Sequence, residues 1–139
     1  MNLSILVMYS KNDGKYLPKL LKSLPRGCEV ILVDTIRVEH ETNRLSNIRK
    51  GNIIKATYFY PEEYFDFAKA RNTIQKLATK EWILWLDTDE HLDILQHEEL
   101  KELIENADKK IGGFFLTQYS WLPSIIQDGT GQRSAVVMC

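Results

Sequence analysis

At 139 residues the chain suits one domain, 1–139, with 44% hydrophobic and 27% charged side chains, an ordinary soluble composition. Eighteen basic against nineteen acidic residues leave a formal net charge of -1, which gives no basic surplus to recommend nucleic acid as a partner. Two cysteines, Cys28 and Cys139, form neither a disulfide framework nor a metal spacing and fit a reducing, cytoplasmic compartment.

In chain order, Leu3 to Met8 reads as a buried strand, too short for a signal peptide, and no run approaches a membrane span. Any membrane association is expected through a missing segment or a partner. Asn12, Asp13 and Gly14 mark a turn, and Leu17, Leu20, Leu21 and Leu24 follow at helical spacing, with Pro18 tolerated in the first turn. Pro25-Arg26-Gly27 stops that helix, and Glu29 to Val33 forms a second strand ending in Asp34. Strand, helix and strand with short connections predict a right-handed βαβ unit. Residues from about Thr35 to Gly51 are polar and aperiodic and read as the longest loop, a candidate functional segment. Its cations Arg37, Arg44, Arg49, Lys50 and Lys55 are interrupted by Glu39 and Glu41, as on a solvated surface.

Ile53 to Tyr60 reads as a third strand closed by Pro61. Asp66 is the expected N-cap of a helix over Phe67 to Ala78, whose Phe67, Ala70, Ile74, Leu77 and Ala78 share one face. The five apolar residues Trp82 to Leu86 make a fourth strand, buried by its composition. A further helix around Leu100, Leu103, Ile104 and Ala107 is capped near Gln96 and finished by Gly112-Gly113. Phe114 to Leu122 is a long aromatic strand, and Ala135 to Met138 a short last one. Alternating strands and helices predict an α/β sheet in mainly parallel order, sandwiched by helices.

Three predicted strand ends carry polar residues: Tyr9-Ser10-Lys11-Asn12, then Asp34, then Asp87-Thr88-Asp89. Parallel order brings them to one sheet edge, where ligands of open α/β sheets bind. A nucleotide laid across it would find Asp34 accepting from a base or ribose donor and Asp87 from a ribose hydroxyl. Asp89 would ligate a divalent cation bridging the diphosphate. Taken alone, Asp34 is equally well a turn or capping aspartate, and a lone D-x-D tripeptide arises by accident. Arg71 reaches either toward a phosphate or toward Glu62 or Glu63. His91 has no ligand spacing with His40 or His97 and reads as solvated. The aromatics Tyr58, Phe59, Tyr60, Tyr64, Phe65 and Phe67 read mostly as core, with a sugar or lipid pocket as the alternative.

The segments Ser4 to Asn12 and Glu29 to Asp34, and above all Phe65-Asp66-Phe67-Ala68-Lys69-Ala70-Arg71-Asn72 through Trp82 to Glu90, resemble the family 2 glycosyltransferases of GT-A fold, from the first residue to about Leu122. The closest block is similar to their F-x-x-A-R-N and W-I-L-x-L-D-x-D-E pattern. The resemblance implies a GT-A-like (Rossmann-like) sheet and metal-dependent transfer of a sugar from a UDP- or GDP-sugar to an acceptor it leaves open. It implies uracil or ribose contacts at Tyr9, Lys11 and Asp34, phosphate or nucleotide contact at Arg71, ribose contact at Asp87, and Mn2+ or Mg2+ at Asp89.

Two departures fall on the base side. Thr35-Ile36-Arg37 stands where the family usually has a second acid and then Gly-Ser, and Tyr9 and Lys11 replace a small or aromatic pair. The family's acceptor half and general base lie well beyond its D-x-D motif. The expectation is therefore a fold incomplete at its C-terminal acceptor half, either a fragment or a minimal form completed by another subunit. Asp128, the one late carboxylate, is not expected to be the base. The aromatic strand Phe114 to Leu122 makes a homo-oligomer a further expectation. Two other readings stand beside sugar transfer: a nucleotide-sugar-binding module without turnover, and a haloacid dehalogenase-type phosphatase, which also follows a hydrophobic strand with D-x-D. The phosphatase pattern expects Thr or Val where His91 stands, and it sets the motif on its first strand.

Overall fold

The computed structural model describes residues 1–38, 43–61, 64–119 and 132–138, with side chains 117–119 and 132–138 left aside. Among the described residues the order is β1 (Leu3–Tyr9), α1 (Leu17–Ser23), β2 (Glu29–Arg37), β3 (Arg44–Lys50), β4 (Ile53–Tyr60), α2 (Phe67–Gln75), β5 (Trp82–Leu86), α3 (Ile94–Glu105), β6 (Gly113–Tyr119) and β7 (Gln132–Met138). The strands form one sheet in the order β3-β4-β2-β1-β5-β7-β6. Its centre, β4-β2-β1-β5, is wholly parallel, while β3 and β7 pair antiparallel with their neighbours at either side.

Strand alternation divides the apolar residues between two cores. Leu3, Ile5 and Val7 of β1, with Val30, Leu32, Trp82, Leu84 and Leu86, pack under Leu20 of α1 and Leu100 and Ile104 of α3. Leu6, Ile31, Val33, Ile54, Ala56 and Tyr58 face the other way and pack under Ala70 and Ile74 of α2. Helices thus cover both faces at β1, β2 and β5, which is why those strands read as apolar runs. By contrast, β4 alternates between exposed Ile53 and Lys55 and buried Ile54, Ala56 and Tyr58.

The segment expected as a long loop is largely strand. β2 runs on past Asp34 to Arg37, and Arg44–Lys50 returns as β3, pairing with β4 through the turn at Gly51 and Asn52. Gly51 sits at φ +62°, a conformation that costs any other residue, and it lets Lys50 pair with Ile53. β3 hid from the sequence because it is an edge strand. Only Leu45 is half-buried, so no apolar period marks it. The crossover between the parallel neighbours β2 and β4 is therefore a strand, where a helix is usual.

The remaining elements differ at their ends. Asp66 caps α2 as expected, its carboxylate accepting from Lys69 N at 2.9 Å, but the helix ends at Gln75. Phe67, expected on the apolar face, is 63% exposed. Asp93, not Gln96, is the N-cap of α3. Gln96 occupies the N3 position and returns its side-chain oxygen to Asp93 N at 2.8 Å, completing a capping box. That helix closes at Glu105, well before Gly112. β6 begins at Gly113, and 120–122, Asp128, Cys139, His40, Glu62 and Glu63 lie outside the described residues.

At the N-terminal edge of the sheet a buried carboxylate ties four segments together. Glu29, 1% exposed, accepts from Ser4 Oγ (2.7 Å), Thr79 N (2.8 Å), Thr79 Oγ1 (2.7 Å) and Arg49 Nη1 (2.7 Å). Burial alone would raise its pKa, yet the guanidinium and the three donors outweigh burial and hold it at about 2.

Candidate functional site

The parallel centre of the sheet points the ends of β1, β2, β4 and β5 to one edge. Tyr9 lies in register with Asp34, and Val7 with Leu86, so Asp87 leaves β5 beside the end of β1. Neighbouring strands lie about 4.8 Å apart, which sets β5 and β2 roughly 10 Å apart across β1.

Two tight turns shape this edge. After β1, Ser10 N and Oγ both donate to Asp13 Oδ2, at 3.3 and 2.5 Å, and Asp13 N donates to Ser10 O at 3.0 Å. The Asn-Asp-Gly punctuation is thus a side-chain-closed turn, and it carries the chain into α1 at Tyr16. After β5, Asp87 N donates to Glu90 Oε2 at 2.7 Å and Glu90 N donates to Asp87 O at 3.1 Å. Glu90 is thereby committed to holding the loop, and Thr88 and Asp89 are left at its corner. Among the described residues the carboxylates of Asp87 and Asp89 make no hydrogen bond or ion pair.

Between these turns and the start of α2 lies an open cavity of about 350 Å³, lined by Met8, Asp13, Tyr16, Phe67, Arg71, Asp87, Thr88 and Asp89. Such a volume falls in the lower part of the range for small-ligand sites. Three carboxylates and one guanidinium meet there, a formal excess of two negative charges. A free diphosphate would be repelled by that balance, whereas a divalent cation would cancel it.

Of the residues singled out in the sequence, Arg71, Asp87 and Asp89 share this wall, and Tyr9, Lys11 and Asp34 do not. Tyr9 and Asp34 sit side by side on the face that carries α1, at the same sheet edge. Burial and then the charge of Asp34 push the Tyr9 hydroxyl pKa up, and Thr35 Oγ1 donates to Tyr9 O at 3.2 Å. Lys11 is exposed in the turn that follows β1. Nothing in the sequence marks Met8, Asp13, Tyr16 or Thr88 as wall residues, whereas Phe67 belongs to the aromatic cluster for which a pocket is the alternative to core. Asp13 and Tyr16 reach the wall through the folded turn after β1, and Phe67 from the start of α2.

No trio of His, Cys, Asp or Glu suited to a metal ion occurs among the described residues. His91 is exposed, and His97 is engaged elsewhere, its Nε2 lying 2.6 Å from Ser23 O. The donor set at this edge is therefore two hard carboxylates on one turn. That suits Mg2+ or Mn2+ held by one or two carboxylates, with phosphate oxygens and water completing the shell.

The aromatic cluster divides between core and wall. Tyr58 is buried, and Phe65 meets Tyr58, Tyr60 and Phe67 edge-to-face at 6.2, 4.8 and 4.7 Å, which carries the packing from the core out to the cavity rim.

Parallel strands bounded by helices on both faces, with an acidic turn at the strand ends, define an α/β domain of GT-A-like fold. The family model described as "Glycosyl transferase family 2" matches residues 5–129, and the chain belongs to that family. Among solved structures the chain is similar to S. aureus TarS, with 19% identity over 89% of this chain and 23% of that one at a TM-score of 0.50. It is also similar to TarS 1-349, with 21% identity over 76% of this chain and 32% of that one at a TM-score of 0.49. The chain thus spans a third or less of the length of those proteins. No curated protein sequence matches it.

Proposed function

We propose that the protein binds a nucleotide-diphosphate sugar, UDP- or GDP-linked, along the C-terminal edge of the sheet and transfers the sugar to an acceptor. The observation that carries this reading is the single cavity shared by Arg71, Asp87 and Asp89 at the ends of parallel strands. Family membership supports the reaction class.

The diphosphate lies in the cavity against the Arg71 guanidinium, which offers planar, paired donors to phosphate oxygens. Asp89 would hold a Mn2+ or Mg2+ ion, whose charge supplies stabilisation to the departing diphosphate. Asp87 accepts from a ribose hydroxyl. From there the nucleoside runs past Tyr9 at the end of β1 toward Asp34 on β2, two strand spacings away, with Lys11 in the turn after β1 as a further contact. Asp34 accepts from the base, and Tyr9, raised in pKa, remains a protonated hydroxyl and donor there.

Calorimetry with UDP and with GDP, each with and without Mn2+, tests the reading. Metal-dependent binding of either is expected, with loss in Asp89→Ala. Binding that survives that substitution unchanged would remove the metal assignment, and binding without transfer or donor hydrolysis would select the module without turnover. Phosphate release from a generic phosphomonoester would select the phosphatase instead.

A further inference from the structure

The charges in the cavity leave one question of geometry. Arg71 shares the wall with Asp87 and Asp89, yet it makes no ion pair with either. Its one partner among the described residues is a ring: the guanidinium carbon stands 5.3 Å from the centroid of Trp85, within cation–π range. Trp85 lies on β5 two residues before Asp87, and its half-buried side chain packs into the core beneath α2, beside Ala70 and Ile74. The ring is therefore fixed from below, and its face is the floor on which the arginine rests.

A long cationic side chain beside two unpaired carboxylates would otherwise settle onto them. We infer that Trp85 is a positioning residue that keeps Arg71 off Asp87 and Asp89, so that the cation stays available to phosphate and the acids to metal. This rests on the reading of the cavity as a diphosphate site. Trp85 touches neither ligand in this scheme and acts only through Arg71. An indole is the best of the aromatic faces for the purpose, and phenyl a weaker substitute.

The test is calorimetry with Mn2+ alone and with inorganic pyrophosphate plus Mn2+, on the wild type, Trp85→Phe, Trp85→Leu, Arg71→Met and the double variants. In the Arg71 background, Trp85→Leu is expected to weaken pyrophosphate about 5- to 10-fold and Trp85→Phe about 2- to 3-fold. In the Arg71→Met background both effects shrink below about 2-fold, because two residues acting through one contact are not additive. For Mn2+ alone, Trp85→Leu weakens binding as the released guanidinium pairs with the acids, and adding Arg71→Met restores it.

Equal losses in both backgrounds would overturn the inference and leave the nucleotide reading standing, since the ring would then act by packing alone. Should Trp85→Leu fail to fold, the same comparison is read from Trp85→Phe. Pyrophosphate binding with no gain from UDP or GDP would sink the nucleotide reading while the Trp85 comparison still decides. Absence of Mn2+-dependent pyrophosphate binding overturns both.

Discussion

Asp89 and Glu29 show how differently one functional group, the carboxylate, is used at the two edges of the sheet. Among the described residues Asp89 stands without a partner, in a cavity with an acidic excess. Its conversion to Asn removes a charge that only a cation would value. Asp89→Asn is expected to lower UDP or GDP affinity at least 10-fold in Mn2+ and by less than 2-fold in chelator, read by calorimetry. Glu29 is buried and surrounded by donors, with its pKa drawn down to about 2. Because the folded value lies below the unfolded one, its contribution is complete above the ordinary carboxylate range and fades as pH falls toward 2. A shift from 4.5 to about 2 corresponds to roughly 3 kcal/mol at neutral pH. Urea unfolding of Glu29→Gln should show a loss of that order at pH 7, and the gap from wild type should close between about pH 4.5 and 2. At this scale the sequence was legible where a motif carried the chemistry: Asp87 and Asp89 could be named because they follow a recognisable apolar run, and Arg71 because its block resembles the family pattern. Asp13 and Tyr16 could not, since their place in the wall depends on a turn closed by Ser10 and Asp13.

Elements buried on both faces were the readable ones. β1, β2 and β5 carry apolar runs because helices cover both sides of the sheet there. Partial alternation between exposed Ile53 and Lys55 and buried Ile54, Ala56 and Tyr58 marked β4, and α2 carried its own cap in Asp66. β3 lacked any such signal, because an edge strand need bury little, and Ile48 on it is 75% exposed. Arg44, Arg49 and Lys50 along this edge are the charged residues that discourage strand pairing with a second molecule. The turn that closes the β3–β4 pair depends on Gly51, whose added Cβ would meet nothing within 4 Å. Any penalty there is purely conformational. Gly51→Ala is expected to cost about 1 kcal/mol and lower the Tm by roughly 2–4 °C, without changing nucleotide affinity. A variant with unaltered Tm would mean that the turn readily adopts another form.

For the whole molecule, a ligand held at the ends of β5 and β1 and at the start of α2 engages elements of both cores at once. Its binding should therefore report as global stability and not as the stiffening of one loop. With UDP or GDP and Mn2+ at about 100 times the Kd, linkage gives roughly 2.7 kcal/mol, or some 5–10 °C in Tm for a chain of this size. Asp89→Asn should abolish the shift, and a shift that persists in it would place the ligand elsewhere. The strand crossover between β2 and β4 has a consequence of another kind, in the order of assembly. β3 and β4 are joined by two residues and can zip together within microseconds, whereas β1 must find β5 about 80 residues away. Pulse-labelled hydrogen exchange should find the amides of 44–60 protected first and those of 82–86 last. The rim that gathers the acidic turn would then be the last part of the protein to exist, and nascent or partly refolded chains would be inert toward ligand until that late closure.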